Sequence, residues 1–110
     1  MRQIADRLRP RIRREDLLAR YGGEEFAVVL TSTPLPGGIK FAESIRRIMR
    51  SAPFDYQGVE FPVTVSLGVA SVDREPTVAM DQFIQRADDA LYEAKRRGRD
   101  QVCSAEPGTP

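Results

Sequence analysis

The chain reads as an α+β domain: an antiparallel-rich central sheet with helices flanking it. Three observations predict this. Apolar residues recur at helical spacing in three separate segments, and short apolar runs bounded by glycine and proline lie between them. One run alternates strictly, Val63, Val65, Leu67 and Val69 against Thr64, Ser66, Gly68 and Ala70. That period of two is the mark of a strand with one bulky and one small face.

Taken in order, Ile4, Ala5, Leu8 and Ile12 predict an amphipathic helix over 2–15, with a kink or early break near Arg9 because Pro10 interrupts it. Leu17 to Tyr21 and Glu25 to Thr31 read as a β-hairpin around Gly22-Gly23. A Pro- and Gly-dense loop, Ser32 to Gly38, precedes a second helix over 38–51 that carries Phe41, Ala42, Ile45, Ile48 and Met49 on one face. A small hairpin turns at Gln57-Gly58, and the alternating strand follows. Its small face lets a helix or a ligand come close. The third helix, over 77–97, turns Phe83, Ala87, Leu91 and Ala94 inward and stops at Gly98 as a C-cap. Gln101 to Cys103 adds an edge strand, and the final residues form a frayed tail.

Composition excludes several classes. A 110-residue chain with 41% hydrophobic and 30% charged residues supports one modest core and is ordinary for a soluble globular domain. No apolar run is long enough to span a membrane, so no membrane contact is expected within the chain. The single Cys103 cannot close an internal disulfide, which makes the cytoplasm the default location. With no histidine, a zinc site is set aside. A net charge of +1 argues against a general DNA or RNA binder. The basic residues are nevertheless uneven: residues 1–20 hold seven arginines against three acids, and a second cluster runs from Lys95 to Arg99. Arginine's planar fork suits phosphate and guanine edges, although solvated helix faces explain such clusters equally well.

Three constellations could carry chemistry. In Arg20-Tyr21-Gly22-Gly23-Glu24-Glu25-Phe26, two glycines free the backbone for a ligand, and two carboxylates beside it suit Mg²⁺, a hard ion shared with phosphate oxygens. Alone, such a stretch is more often a plain turn. Lys95 and Arg99 flank the Gly98 helix end, where they can grip terminal phosphates or simply complement the helix C-terminus. Arg13 and Asp16 form an RxxD. The arginine can donate twice to guanine O6 and N7, and the aspartate can accept from the N1–H and N2 edge. By itself an RxxD is more often a surface ion pair.

Together these motifs resemble the GGDEF family of diguanylate cyclases. The likeness is carried by "RRED", "RYGGEEF", "VSLGVAS" and "RADDALYEAKRRGRDQV", in that order and spacing, from about Arg2 to Cys103. The resemblance implies a nucleotide-cyclase, ferredoxin-like core. It also implies condensation of two GTP into cyclic di-GMP and two pyrophosphates, by two domains facing each other in a homodimer. On this likeness Gly22 and Gly23 give the nucleotide room. Glu24 ligates Mg²⁺ or Mn²⁺, and Glu25 serves the metal or the attacking hydroxyl. Lys95 and Arg99 hold the terminal phosphates. Such phosphoryl transfer runs on positioning and charge neutralisation.

Arg13 and Asp16 match the family's inhibitory site, which binds cyclic di-GMP as product feedback. A second arginine that helps in some members falls at Ser44 here, with Arg46 and Arg47 close by. The family domain also begins with a strand and helix carrying another metal ligand, followed by an Asn and an Asp that read guanine. None of these stands ahead of Arg2. Residues 1–103 are therefore expected to be the C-terminal two-thirds of the domain, and 104–110 a disordered tail. Such a fragment should not cyclise GTP but can still bind cyclic di-GMP. A non-catalytic receptor and a remnant that self-associates through its exposed sheet are the alternatives.

Overall fold

The computed structural model describes residues 2–20, 26–30, 32–72 and 79–105, in two compact units, Met1–Thr33 and Pro34–Pro110. The first unit begins with α1, Arg2–Leu8, which gives way to a 3-10 turn, Arg9–Arg11. Pro10 is the cause: it has no N–H for an α-helical bond, and the turn closes with the shorter Ile12 N to Arg9 O bond of 3.2 Å. The expected helix over 2–15 is thus cut at Leu8. Strand β1, Leu17–Arg20, pairs antiparallel with β2, Phe26–Val29, in the register Leu17↔Val29 to Arg20↔Phe26. The hairpin is as expected. Its connecting residues, 21–25, lie outside the described residues.

The second unit opens with α2, Leu35–Ser51, three residues earlier than the periodicity predicts. Pro34 holds the extended N-cap conformation and Pro36 falls in the first turn, where a missing N–H costs nothing. The first helical bond, Gly38 N to Pro34 O, is 3.0 Å. Ala42, Ile45 and Met49 are buried along one face. Next come β3, Phe54–Tyr56, and β4, Val59–Phe61, paired antiparallel around Gln57 and Gly58. Both turn residues have positive φ, 51° and 82°, the type I′ geometry that follows the strand twist. Asp55 Oδ1 accepts from Gly58 N at 3.0 Å and fixes the turn. Because Gln57 occupies a position that asparagine tolerates better, Gln57→Asn is expected to stabilise the chain by on the order of 0.5 kcal/mol, read from its urea midpoint.

Of the alternating run, only β5, Leu67–Val69, joins a ladder. Its partner is β6, Val102–Ser104, and the pairing is parallel, in register Leu67↔Val102 to Val69↔Ser104. A parallel pair needs a crossover, and α3, Met80–Arg96, supplies it. Residues 73–78, including the expected helix start at Thr77, lie outside the described residues. The small face of β5 receives this helix. A Cβ on Gly68 would stand 2.1 Å from Ala87 O and 2.3 Å from Leu91 N, so only a glycine admits the helix backbone this closely. Ala90 and Ala94 are buried on α3, the latter completely. Among the described residues the strands form three two-stranded ladders, two antiparallel and one parallel, and α2 and α3 lie against the parallel one. Among the described residues no helix is long and apolar enough to cross a membrane.

Candidate functional site

The RxxD segment lies between the 3-10 turn and β1. Its backbone closes a turn, Asp16 N to Arg13 O at 3.0 Å, which brings the two side chains face to face. Arg13 Nε donates to Asp16 Oδ2 at 3.0 Å and Nη2 to Oδ1 at 3.1 Å, a fork-to-fork pair. The Arg13 backbone N–H also donates to Oδ2, at 3.1 Å. Nη2 reaches Thr33 Oγ1 at 3.1 Å, and Glu15 lies 3.9 Å from Nη1. Exposure separates the partners: the Asp16 side chain is 1% exposed and that of Arg13 49%. The hydrogen bond to Asp16 raises the Arg13 pKa above its ordinary value, so the guanidinium is a permanent cation. Asp16 is thus spent on Arg13, and Arg13 is the member that meets solvent.

Lys95 and Arg99 bracket the C-terminal cap of α3. Gly98, at φ 117°, permits the reversal; Gly98 N bonds Lys95 O at 3.3 Å and Arg99 N bonds Ala94 O at 2.9 Å. This is a Schellman motif, as the glycine predicts. Both cationic side chains are exposed. Among the described residues neither has an ion-pair partner, whereas their neighbours Arg96 and Arg97 both bond Glu93. Those pairs, Arg96 first, pull the Glu93 carboxyl below the ordinary glutamate range. A lowered folded-state pKa means that this contribution to stability is complete above about pH 4.3 and is lost as pH falls through the folded value. A carbon-detected NMR titration should find Glu93 titrating below the ordinary glutamate range. Glu93→Gln should abolish that part of the acid dependence.

The feature that sequence reading passed over is Asp100. Arg99 and Asp100 follow Gly98 with positive φ of their own, 63° and 50°, a conformation that costs a non-glycine residue roughly 1–2 kcal/mol. Asp100 is held there from three sides. Arg46 Nη1 lies 3.3 Å from Oδ1, Arg50 Nη1 lies 3.1 Å from Oδ2, and the Asp100 N–H donates to Ser66 Oγ at 3.1 Å. Arg46 also pairs with Glu43 at 3.0 Å and is therefore committed within its own unit; Arg47 is the exposed arginine of the two. Ser44 donates to Phe41 O of its own helix at 2.7 Å.

Gly22, Gly23, Glu24 and Glu25 lie outside the described residues. Among the described residues no group of three or more acidic, histidine or cysteine side chains is placed to hold a metal.

The family model for the diguanylate cyclase GGDEF domain matches residues 1–101. The chain belongs to the GGDEF family. A diguanylate cyclase of Pseudomonas aeruginosa, DgcP, is 41% identical over 99 residues, which is 90% of this chain but 14% of that protein. The GGDEF domain of DgcB from Caulobacter crescentus, solved in complex with c-di-GMP, superposes with a TM-score of 0.86 at 32% identity, covering 94% of this chain and 61% of that one. The active GGEEF domain of a diguanylate cyclase from Vibrio cholerae gives a TM-score of 0.80 at 30% identity, over 96% of this chain and 66% of that one. The chain thus spans a small part of its curated relative and about three fifths to two thirds of the solved domains. These solved neighbours confirm the GGDEF fold that the motifs imply.

Proposed function

We propose that residues 1–103 are part of a diguanylate cyclase domain, and that these residues alone bind cyclic di-GMP at Arg13 without turning GTP over. The observation that carries the family-level activity is the GGDEF match over residues 1–101, with Gly22-Gly23-Glu24-Glu25-Phe26 in place. The relatives named as diguanylate cyclases, and the neighbour solved as an active GGEEF domain, support it.

In the complete domain Glu24 and Glu25 offer hard carboxylate oxygens, the donors a Mg²⁺ or Mn²⁺ ion prefers. Such an ion, when bound, neutralises phosphate charge. Gly22 and Gly23 leave the backbone bare for the nucleotide, and Lys95 and Arg99 take the terminal phosphates of GTP. The reaction needs two such domains, so the working unit is a homodimer. The inhibitory role falls on Arg13. Its half-exposed guanidinium, fixed in plane by Asp16, presents a preset donor to guanine. Asp16 orients that donor. For Asp16 to read guanine itself, its almost wholly covered carboxylate would have to become accessible to the ligand. The DgcB domain in complex with c-di-GMP supports a site for this ligand on the fold.

Calorimetric titration of the chain with cyclic di-GMP, beside a GTP turnover assay with Mg²⁺ and Mn²⁺, tests the proposal. Binding without turnover is expected. Production of cyclic di-GMP by the isolated chain would refute the inactive reading, and absence of binding by a folded sample would refute the receptor reading.

A further inference from the structure

We propose that Asp100 is a positioning residue for polyphosphate binding: tied to Arg46, Arg50 and Ser66, it holds the reversed backbone that presents Arg99 beside Lys95. The inference rests on the proposed role of Lys95 and Arg99 as phosphate ligands. Its own ground is the geometry after α3. Gly98 explains one left-handed residue, but Arg99 and Asp100 continue the left-handed path without being glycine. The backbone N–H of Arg99 is fixed to Ala94 O, and the next N–H, that of Asp100, is fixed to Ser66 Oγ. The carboxylate of Asp100 is then gripped by two arginines of α2 at 3.3 and 3.1 Å. Arg99 is thus clamped on both sides along the chain while its side chain stays exposed. An anion ligand gains from such preorganisation, because the cost of ordering the loop is met before the ligand arrives. The two arginines also offset the negative charge that Asp100 would otherwise place one residue from an anion site.

This gives a test in which charge and positioning predict opposite signs. The probe is inorganic tripolyphosphate with Mg²⁺, followed by NMR at the Lys95 and Arg99 side-chain nitrogens of the 110-residue chain. Wild type is expected to show saturable shifts at both, which Lys95→Ala and Arg99→Ala each weaken. Asp100→Ala should weaken binding at least fivefold and change the Arg99 backbone coupling constant, although it removes a negative charge near an anion. Asp100→Asn keeps a side-chain acceptor and loses the charge, so it should bind within twofold of wild type or more tightly. Tighter binding by both variants, or unchanged binding by Asp100→Ala, overturns the positioning role and leaves the phosphate role of Lys95 and Arg99 standing. If wild type shows no shift at either side chain, both readings fall. Should Asp100→Ala not fold, Ser66→Ala removes one tie without changing the charge, and it must weaken binding about twofold or more for the proposal to survive.

Discussion

Gly68→Ala is expected to cost about 3 kcal/mol or more of folding stability, at or beyond the upper end for overpacked sites. The new methyl would lie 2.1 Å from Ala87 O, 2.3 Å from Leu91 N and 2.9 Å from Leu91 Cα. All three are backbone atoms of α3, so no rotamer change relieves the clash. The helix must move off β5, and because α3 is also the crossover to β6, the parallel ladder is disturbed with it. With a urea slope of about 1–3 kcal/mol per molar, the midpoint should fall by 1 M or more by this estimate. Gly38→Ala is the internal control. There the nearest atom is Val69 Cγ1 at 3.2 Å, a side chain that can yield, and the added methyl favours helix by roughly 0.5–1 kcal/mol. A loss at Gly68 no larger than the change at Gly38 would mean that α3 is not held against the strand as described.

The contrast between those glycines marks what was legible in the sequence. The alternation of small residues in 63–70 gave away a face open to close approach, and Gly68 is where the helix arrives. Gly98 as a cap and Gln57-Gly58 as a turn were legible because each depends on local backbone chemistry. Pro10 likewise announced the end of α1. Boundaries were less visible. The start of α2 was set by Pro34 at the N-cap and Pro36 in the first turn, which the loop composition of 32–38 disguised. The alternating run was expected to be a longer strand, yet only Leu67–Val69 finds a partner in β6. Pairing of that kind depends on residues far along the chain. The same holds for the candidate site. The RxxD was legible by spacing, but that Asp16 would be almost wholly covered while its arginine stays half-exposed was not. The ties from Arg46 and Arg50 to Asp100 join residues about fifty positions apart and leave no periodic signal.

Arg13→Ala is expected to lower cyclic di-GMP affinity by about fivefold or more. A bidentate arginine contact to guanine is worth about 1–3 kcal/mol, which spans roughly 5- to 150-fold. Arg13→Lys should rescue little of this, because an ammonium keeps the charge but not the planar fork. The substitution also affects the fold, since the Asp16 carboxylate loses both side-chain donors from Arg13 while remaining almost wholly covered. Binding must therefore be measured at a temperature where circular dichroism shows each variant to be folded. Asp16 supplies the sharper test. If it acts only by orienting Arg13, the Arg13→Ala, Asp16→Ala double variant should bind no worse than Arg13→Ala, and the two changes are non-additive. If Asp16 accepts directly from the guanine edge, the double variant should lose a further several-fold. The geometry favours the first outcome: the Asp16 side chain is 1% exposed and both its carboxylate oxygens already accept from Arg13, which is the half-exposed partner.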